Sequence, residues 1–259
     1  MTNPVINSLL NHRSIRKFKP EPIAEDTLND LLYAGVRAAS AGNMQQYSLI
    51  VVDDPAKKKE LLYDPAFADA AIVVVAVVDQ YRMKRWLALN DAPFYNDQLA
   101  NVFIPFWDAT IALQNMVVAA ESLGLGTVYI GGSLCLDMQT LLGTPEYVMP
   151  AGMVCIGWPD EEPELRPRLP LAAVVHRNGY HTPTDDEVRA YHQDKDASWG
   201  QLPAERKQAL AEKGITNIAQ MRTLGHYTPE FTADRSAEIM ANLRRAGFRL
   251  PDEEVVETE

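Results

Sequence analysis

Cysteine is almost absent: Cys135 and Cys155 are the two in 259 residues. They form no CxxC pair and sit in apolar surroundings, so neither a disulfide framework nor a zinc site follows from them. A reduced, cytoplasmic setting is the expectation. Positive charge is also scarce, with 24 Lys and Arg against 35 Asp and Glu and a formal charge of -11. Gripping nucleic acid needs a concentrated positive field, so nucleic acid is not the expected partner, and any basic cluster here reads as a local anion site. Long hydrophobic runs are lacking too. The most apolar stretch, Ala70 to Val78, lies between Asp69 and Asp79. A membrane helix needs about 20 such residues, so the stretch reads as a buried strand and no membrane partner is expected. Met1-Thr2-Asn3-Pro4 opens into an amphipathic segment without an apolar h-region, so no secretion signal is expected either.

The usual signatures of catalysis are missing as well. His12, His176, His181, His192 and His226 show no HExxH or other ligand-like pairing, and metal is not expected. There is no GxSxG elbow, no GxGxxG and no GxxxxGK[ST], and neither cysteine has an activating neighbour. An enzyme without its own acid, base, nucleophile or metal delegates the chemistry to an organic cofactor.

What is present is a globular composition, 47% hydrophobic and 23% charged. Asn3-Pro4 is a cap and first-turn signal for a short helix with Val5, Ile6, Leu9 and Leu10 on one face. Leu28, Leu31, Leu32 and Val36 recur at helical spacing between Ala24 and Ala39. Ser48 to Val52 and Ile72 to Val78 read as strands, and Asp54-Pro55 starts another short helix. The longest helix is expected from Asp97 to Leu123, apolar nearly all round and therefore central, and ended by Gly124 and Gly126. Thr127 to Ile130 and Met153 to Ile156 are two further strands, with a short helix from Leu136 to Leu142 between them. Leu171 to Val175 reads as one more short strand. Beyond His176, short helices are expected near Asp185–Asp194, Pro203–Lys213 and Ala233–Ala246, an appendage rather than a second core. Helices alternating with β-branched strands indicate a layered α/β or α+β protein.

Four segments could carry chemistry. His12-Arg13-Ser14-Ile15-Arg16 packs three cationic-capable side chains and a hydroxyl into five residues of an acidic chain. Arg donors match phosphate oxygens, and a solvated turn of surface charge is the other reading. In Arg166-Pro167-Arg168 the proline limits the backbone, so two guanidinium groups project with little freedom; they could equally balance Glu161, Glu162 and Glu164. Tyr129-Ile130-Gly131-Gly132 ends a strand with two glycines, which lets a backbone approach a flat or anionic ligand, or simply makes a turn. Ala38 to Gln46 is a run of small and amide residues that leaves room for a planar ring, or forms a polar loop after a helix.

Taken together, HRSIRKFKPEPI, AASAGNMQQYSLIVV, GLGTVYIGG and GWPDEEPELRPRLPL, in this order and spacing and followed by a polar helical tail, resemble the FMN-dependent nitroreductase family. The closest likeness is to its NADPH-dependent flavin reductase and oxygen-insensitive nitroreductase branch. The resemblance covers essentially the whole chain. It implies an α+β fold with a mainly antiparallel central sheet flanked by helices, an FMN-binding core over residues 1–176, and a helical C-terminal extension over 177–259 that packs on the core and on the partner of a homodimer. It implies FMN as cofactor and NADPH as co-substrate. Hydride passes through flavin N5 by a ping-pong exchange to flat electron-poor acceptors (nitroaromatics, quinones or free flavin), so no side chain is assigned a catalytic role. Carried over by motif, His12, Arg13, Ser14 and Arg16 correspond to phosphate and pyrimidine contacts, Ser40 and Gln45 to the ring edge, and Tyr129, Ile130, Gly131 and Gly132 to the strand end beneath the ring. Arg166 and Arg168 match a pair that is usually Lys and Arg. Residues 63–67 read Tyr-Asp-Pro-Ala-Phe where the branch often has a Gln-rich contact, and none is carried over. In the tail, Arg206 and Lys207 are the expected partners of the NADPH 2′-phosphate, with helix-surface charge as the other reading. A non-catalytic FMN carrier is the alternative function.

Overall fold

The structure, a computed structural model, describes residues 3–251; the last part of the expected extension, 252–259, lies outside the described residues. Its contacts divide the chain into two compact units, Met1–Glu164 with Glu238–Glu259, and Leu165–Ala237.

The first unit is built on one antiparallel sheet. Its strands are β1 (Tyr47–Val52), β2 (Ile72–Asp79), β3 (Gly126–Tyr129) and β4 (Val148–Gly157), in the spatial order β1-β2-β4-β3. Every residue of β2 is buried. A strand alternates its side chains, so a continuous apolar run requires cover on both faces. Val74, Ala76 and Val78 join one core with Leu31, Ala112, Leu113 and Met116; Val73, Val75 and Val77 join another with Phe18, Leu61, Phe67 and Cys155. β4 carries Pro150 inside a central strand, a position normally closed to proline. The register with β2 shifts between Ala76 and Val77, and β3 reaches only as far as Val154, so no ladder bond is demanded of the missing N–H.

Helices cover both faces. α1 (Pro4–Leu10) is capped by Asn3, whose side chain accepts from Val5 N at 2.9 Å. α2 is Glu25–Val36, α3 is Pro55–Leu61 capped by Asp54, and α4 is Gln80–Ala88 capped by Asp79. α5 (Ala100–Ser122) is the central helix. It crosses α2 so closely that a Cβ on Gly35 would lie 2.8 Å from Met116. α6 is Met138–Leu142.

α5 meets the length and composition of a membrane span, but Ala109, Ala112, Leu113, Met116, Val117 and Ala120 are buried against the same chain, as in the core helix of a globular protein. Pro105 in its second turn frees the carbonyl of Asn101, and the buried Gln80 side chain donates to that carbonyl at 2.8 Å. The Gln80 side chain also donates to Gln46 at 2.9 Å and accepts from Asn96 at 3.1 Å, so its amide is satisfied.

Four details depart from the sequence reading. α5 begins at Ala100 rather than Asp97, because the Asp97 carboxylate pairs with Arg249 Nε at 2.7 Å and its carbonyl accepts from Arg249 N at 2.7 Å. Leu171 to Val175 is not a strand: it is a 3₁₀ turn over Leu171–Ala173, whose bonds run locally from Ala173, Val174 and Val175 to Pro170 and Leu171. α2 stops at Val36, where Ala38 N turns back to Gly35 O. α4 was not anticipated.

The second unit holds α7 (Asp185–Ala197), α8 (Ala204–Ala211), α9 (Ile218–Thr223) and the start of α10 (Pro229–Arg245), which ends in the first unit. α7 opens on a capping box in which Thr184 N donates to Glu187 at 2.8 Å and Glu187 N donates to Thr184 Oγ at 3.3 Å. Ile215 and Ile218 are its buried apolar side chains.

Candidate functional site

The basic turn is fixed by its neighbours rather than by helical or sheet structure of its own. Ser14 bridges Thr127 in β3, and Ile15 N donates to Thr127 O at 2.8 Å. A Cβ on Gly126 would lie 2.8 Å from the Ile15 side chain, so glycine is what lets turn and strand meet. Beyond Ile15, the Glu161 carboxylate accepts from the backbone N–H of Arg16 and, at 3.1 Å, of Lys17. Arg13 Nη1 donates to Pro163 O at 3.0 Å and lies 3.4 Å from Glu162. Arg16 is exposed, its guanidinium bonded at 3.3 Å to Ser14 O. His12 Nδ1 meets Glu121 of α5 at 2.6 Å.

β3 carries this arrangement toward its glycine pair. Alternation places Thr127 and Tyr129 on one face, and both reach α5: Thr127 Oγ donates to Glu121 at 3.0 Å and Tyr129 OH to Gln114 at 3.3 Å. Partial burial pushes the Tyr129 phenol up to about 12, so it stays neutral at any physiological pH. Ile130 is buried and donates to Met153 O at 2.9 Å. Gly131 is exposed, and a Cβ there would meet nothing within 4 Å. An open groove of about 1100 Å³ runs beside the turn, lined among others by Leu9, Arg13, Asn115, Glu121, Gly126 and Glu161.

The loop with Ser40 and Gln45 is anchored elsewhere. Ser40 Oγ donates to buried Asp108 at 2.8 Å and accepts from Gln45 N at 2.8 Å, while Ala41 N donates to Asp108 at 3.1 Å. Gly42, Asn43 and Gln45 are all left-handed, and Arg82 holds the end of the loop through the carbonyls of Gln45 and Tyr47. Asp108 and Glu121 are 13 residues apart on α5, or about 20 Å at 1.5 Å per residue. One chain therefore brings the basic turn beside Gly126 and Thr127 of β3, the strand that leads on to Gly131 and Gly132, and leaves Ser40 and Gln45 at a separate place.

Arg166 and Arg168 belong to the second unit, where both are exposed. Arg206 and Lys207 are neighbours on α8, about 100° apart around the helix. Arg206 is exposed, whereas Lys207 Nζ donates to Gly200 O at 2.8 Å and closes the preceding turn. The two do not share a face. The segment at residues 63–67 forms the start of a 3₁₀ helix with Phe67 in the core. No group of three or more potential metal ligands occurs among the described residues.

The donor set suits FMN in its chemistry. Two guanidinium groups, an imidazole and a hydroxyl are donors of the kind a phosphate takes, and an exposed glycine beyond β3 leaves open space for a planar ring. Sequence reasoning missed Asp108, Gln114, Glu121, Thr127 and Glu161. The signal for Asp108 and Glu121 was available: each is a lone carboxylate in an otherwise apolar helix.

Comparison with known proteins gives the same direction. The nitroreductase family model matches residues 9–158. The NADPH-flavin oxidoreductase of Vibrio harveyi is 32% identical over 232 residues, covering 88% of this chain and 95% of that protein. The FMN reductase (NADPH) of Bacillus subtilis is 37% identical over 193 residues, covering 71% and 77%. Among solved structures, NfrA2 of B. megaterium superposes with a TM-score of 0.81 at 34% identity, covering 96% of this chain and 99% of that one. With more than half its length matched by the family model and its fold shared end to end, the chain belongs to the nitroreductase family.

Proposed function

We propose that this protein is an FMN-dependent NAD(P)H oxidoreductase acting on flat electron-poor acceptors: nitroaromatics, quinones or free flavin. The observation that carries the reading is the docking of the basic turn, with His12, Arg13, Ser14 and Arg16, on Thr127 of the strand that runs on to the exposed Gly131, in a family whose relatives are named as NADPH-flavin oxidoreductase and FMN reductase. FMN, when bound, would supply the redox chemistry, hydride exchange between NADPH and the acceptor in a ping-pong scheme. The chain binds and orients. Arg13, Arg16, His12 and the Ser14 hydroxyl hold the phosphate. Tyr129, Ile130, Gly131 and Gly132 would face the ring, the open space at Gly131 allowing a close approach. Arg166 and Arg168 are assigned to added positive charge, and Arg206, rather than Lys207, to the 2′-phosphate of NADPH, since Lys207 is bonded to Gly200. No side chain is required as acid or base.

Ser40 already uses its hydroxyl on Asp108 and Gln45, so it serves the ring edge through the shape of its loop. That loop is about 20 Å along α5 from the basic turn, which supports a site completed by a second copy. Large apolar side chains on α5 (Phe103, Ile104, Trp107, Ile111) and α1 (Val5, Ile6, Leu9, Leu10) are exposed on the single chain and form the surface that a homodimer buries. The free, buried thiol of Cys155 supports a cytoplasmic setting.

The test is anaerobic addition of NADPH to the yellow, purified protein. Bleaching of the flavin absorbance within seconds supports the enzyme; an unchanged spectrum supports the FMN carrier. Sedimentation at micromolar concentration should give a flavin-loaded dimer, and a stable flavin-loaded monomer would refute the shared site.

A further inference from the structure

Glu121 is placed where a carboxylate is least comfortable. It lies in the last turn of α5, at the negative end of the helix dipole, and its side chain is 15% exposed in a chain of net charge -11. Two donors converge on one of its oxygens: His12 Nδ1 at 2.6 Å and Thr127 Oγ at 3.0 Å. A carboxylate oxygen accepts, so His12 must carry its proton on Nδ1. Nε2 is then the ring nitrogen with no hydrogen-bond partner among the described residues. The same Thr127 holds the basic turn through its carbonyl, which accepts from Ile15 N. One carboxylate thus ties helix, strand and turn together around His12.

We propose that Glu121 is the positioning residue of the anion site: by accepting the Nδ1 proton it turns Nε2 of His12 toward the phosphate of the flavin, and it is the counter-charge of the ring when Nε2 carries a second proton against that phosphate. The inference rests on the reading that the basic turn holds that phosphate. The charged groups around His12 are Glu121 on α5, Arg13 and Arg16 on its own segment, and Glu161 and Glu162 on the chain that follows β4. Against this background the sign of one substitution decides the role. Removing a carboxylate near a phosphate should, by charge alone, tighten the phosphate ligand. If Glu121 acts through His12, removing its charge should loosen that ligand, because the imidazolium loses its counter-charge.

The experiment titrates the full-length, flavin-stripped protein with FMN and with riboflavin, which lacks the phosphate. Glu121→Gln is expected to weaken FMN about tenfold, the scale of one charge-assisted hydrogen bond, while leaving riboflavin within about twofold. In a His12→Phe background the same substitution should not weaken FMN further. Equal weakening of both flavins would show a merely structural role and overturn the proposal. So would tighter FMN binding in Glu121→Gln, or the same loss with and without His12. If the wild type fails to prefer FMN over riboflavin, the phosphate reading itself fails, and that outcome is visible before any variant is made.

Discussion

Ser40 Oγ and Asp108 Oδ2 stand 2.8 Å apart, and through that bond a buried carboxylate in the middle of α5 shapes a loop containing three left-handed residues. Such a loop does not hold itself. Asn43 and Gln45 occupy a region that side chains avoid, so the surrounding bonds must determine it.

Asp108→Ala should therefore leave the Ser40 hydroxyl and the Ala41 N–H without their acceptor. A loss of about 2–3 kcal/mol in stability is expected, since bonds to a charged group are worth about 1.5–3 kcal/mol each and the loop can partly rehydrate. Denaturant unfolding monitored by circular dichroism measures it. A loss below about 0.5 kcal/mol would mean that the loop is held by Arg82 alone.

The two glycines bounding β3 should respond in opposite ways. Gly126→Ala drives a methyl group to 2.8 Å from Ile15, an overpacking expected to cost about 1–3 kcal/mol. Gly131→Ala meets nothing within 4 Å and should leave Tm unchanged, yet weaken FMN if the ring lies against that backbone. Thermal unfolding of the flavin-free protein and FMN titration together separate the two effects. Unaltered FMN affinity in Gly131→Ala would remove the glycine pair from the site.

Arg13→Ala should weaken FMN roughly 10- to 150-fold, corresponding to about 1.5–3 kcal/mol for a charge-assisted phosphate contact. Its ion pair is with the largely exposed Glu162, and Pro163 O can take water in its place, so loss of the side chain should cost the fold little. Undiminished FMN occupancy after dialysis would count against the assignment.

Alkaline pH should destabilise the first unit through Cys155. Burial raises its thiol from 9.0 to about 12, and the nearby Lys58 ammonium offsets this only in part. The unfolded thiol ionises first, so stability is intact below about pH 9 and is lost progressively as pH climbs toward 12. Lys58 acts in the other direction: burial lowers its pKa, and that penalty fades as pH rises toward 10.5. Comparing wild type with Cys155→Val between pH 8 and 11 isolates the thiol; identical slopes would show that it does not contribute.

For the nicotinamide, NADPH should be preferred over NADH by at least about tenfold in kcat/KM, the cost of losing one charge-assisted contact. Because Lys207 is bonded to Gly200 and points away from Arg206, Arg206→Ala alone should carry most of the selectivity. Equal use of both nucleotides by the wild type would remove the reason for a phosphate contact on α8.

Much of this was legible in the residues. The apolar run between Asp69 and Asp79 was legible as a strand because nothing polar interrupts it, and the cap residues Asn3 and Asp54 marked their helices. Asp79 is a cap as well, but Arg82, Lys84 and Arg85 dilute the apolar pattern of α4, and the helix was missed. Long-range bonds are where local patterns fail. Asp97 leaves α5 because Arg249 reaches it, and no window of sequence contains both. Leu171 to Val175 has strand-forming residues but pairs with no strand, so the local turn prevails. In the site, the cations of the basic turn announce themselves in an acidic chain, whereas the acceptors that orient them do not. Glu121 is recognisable as a partner of His12 only once α5 and the turn are side by side.

The hydrogen bond from Gln80 to Asn101 has a kinetic consequence. Pro105 leaves the opening turns of α5 one bond short, and the missing donor arrives from Gln80 at the start of α4, about twenty residues earlier in the chain. Those turns cannot mature with the rest of the helix by local propagation; they wait for sheet and α4 to assemble. In native-state hydrogen exchange, the amides near 100–104 should thus open together with the start of α4 as one cooperative patch, while the C-terminal half of the same helix stays closed.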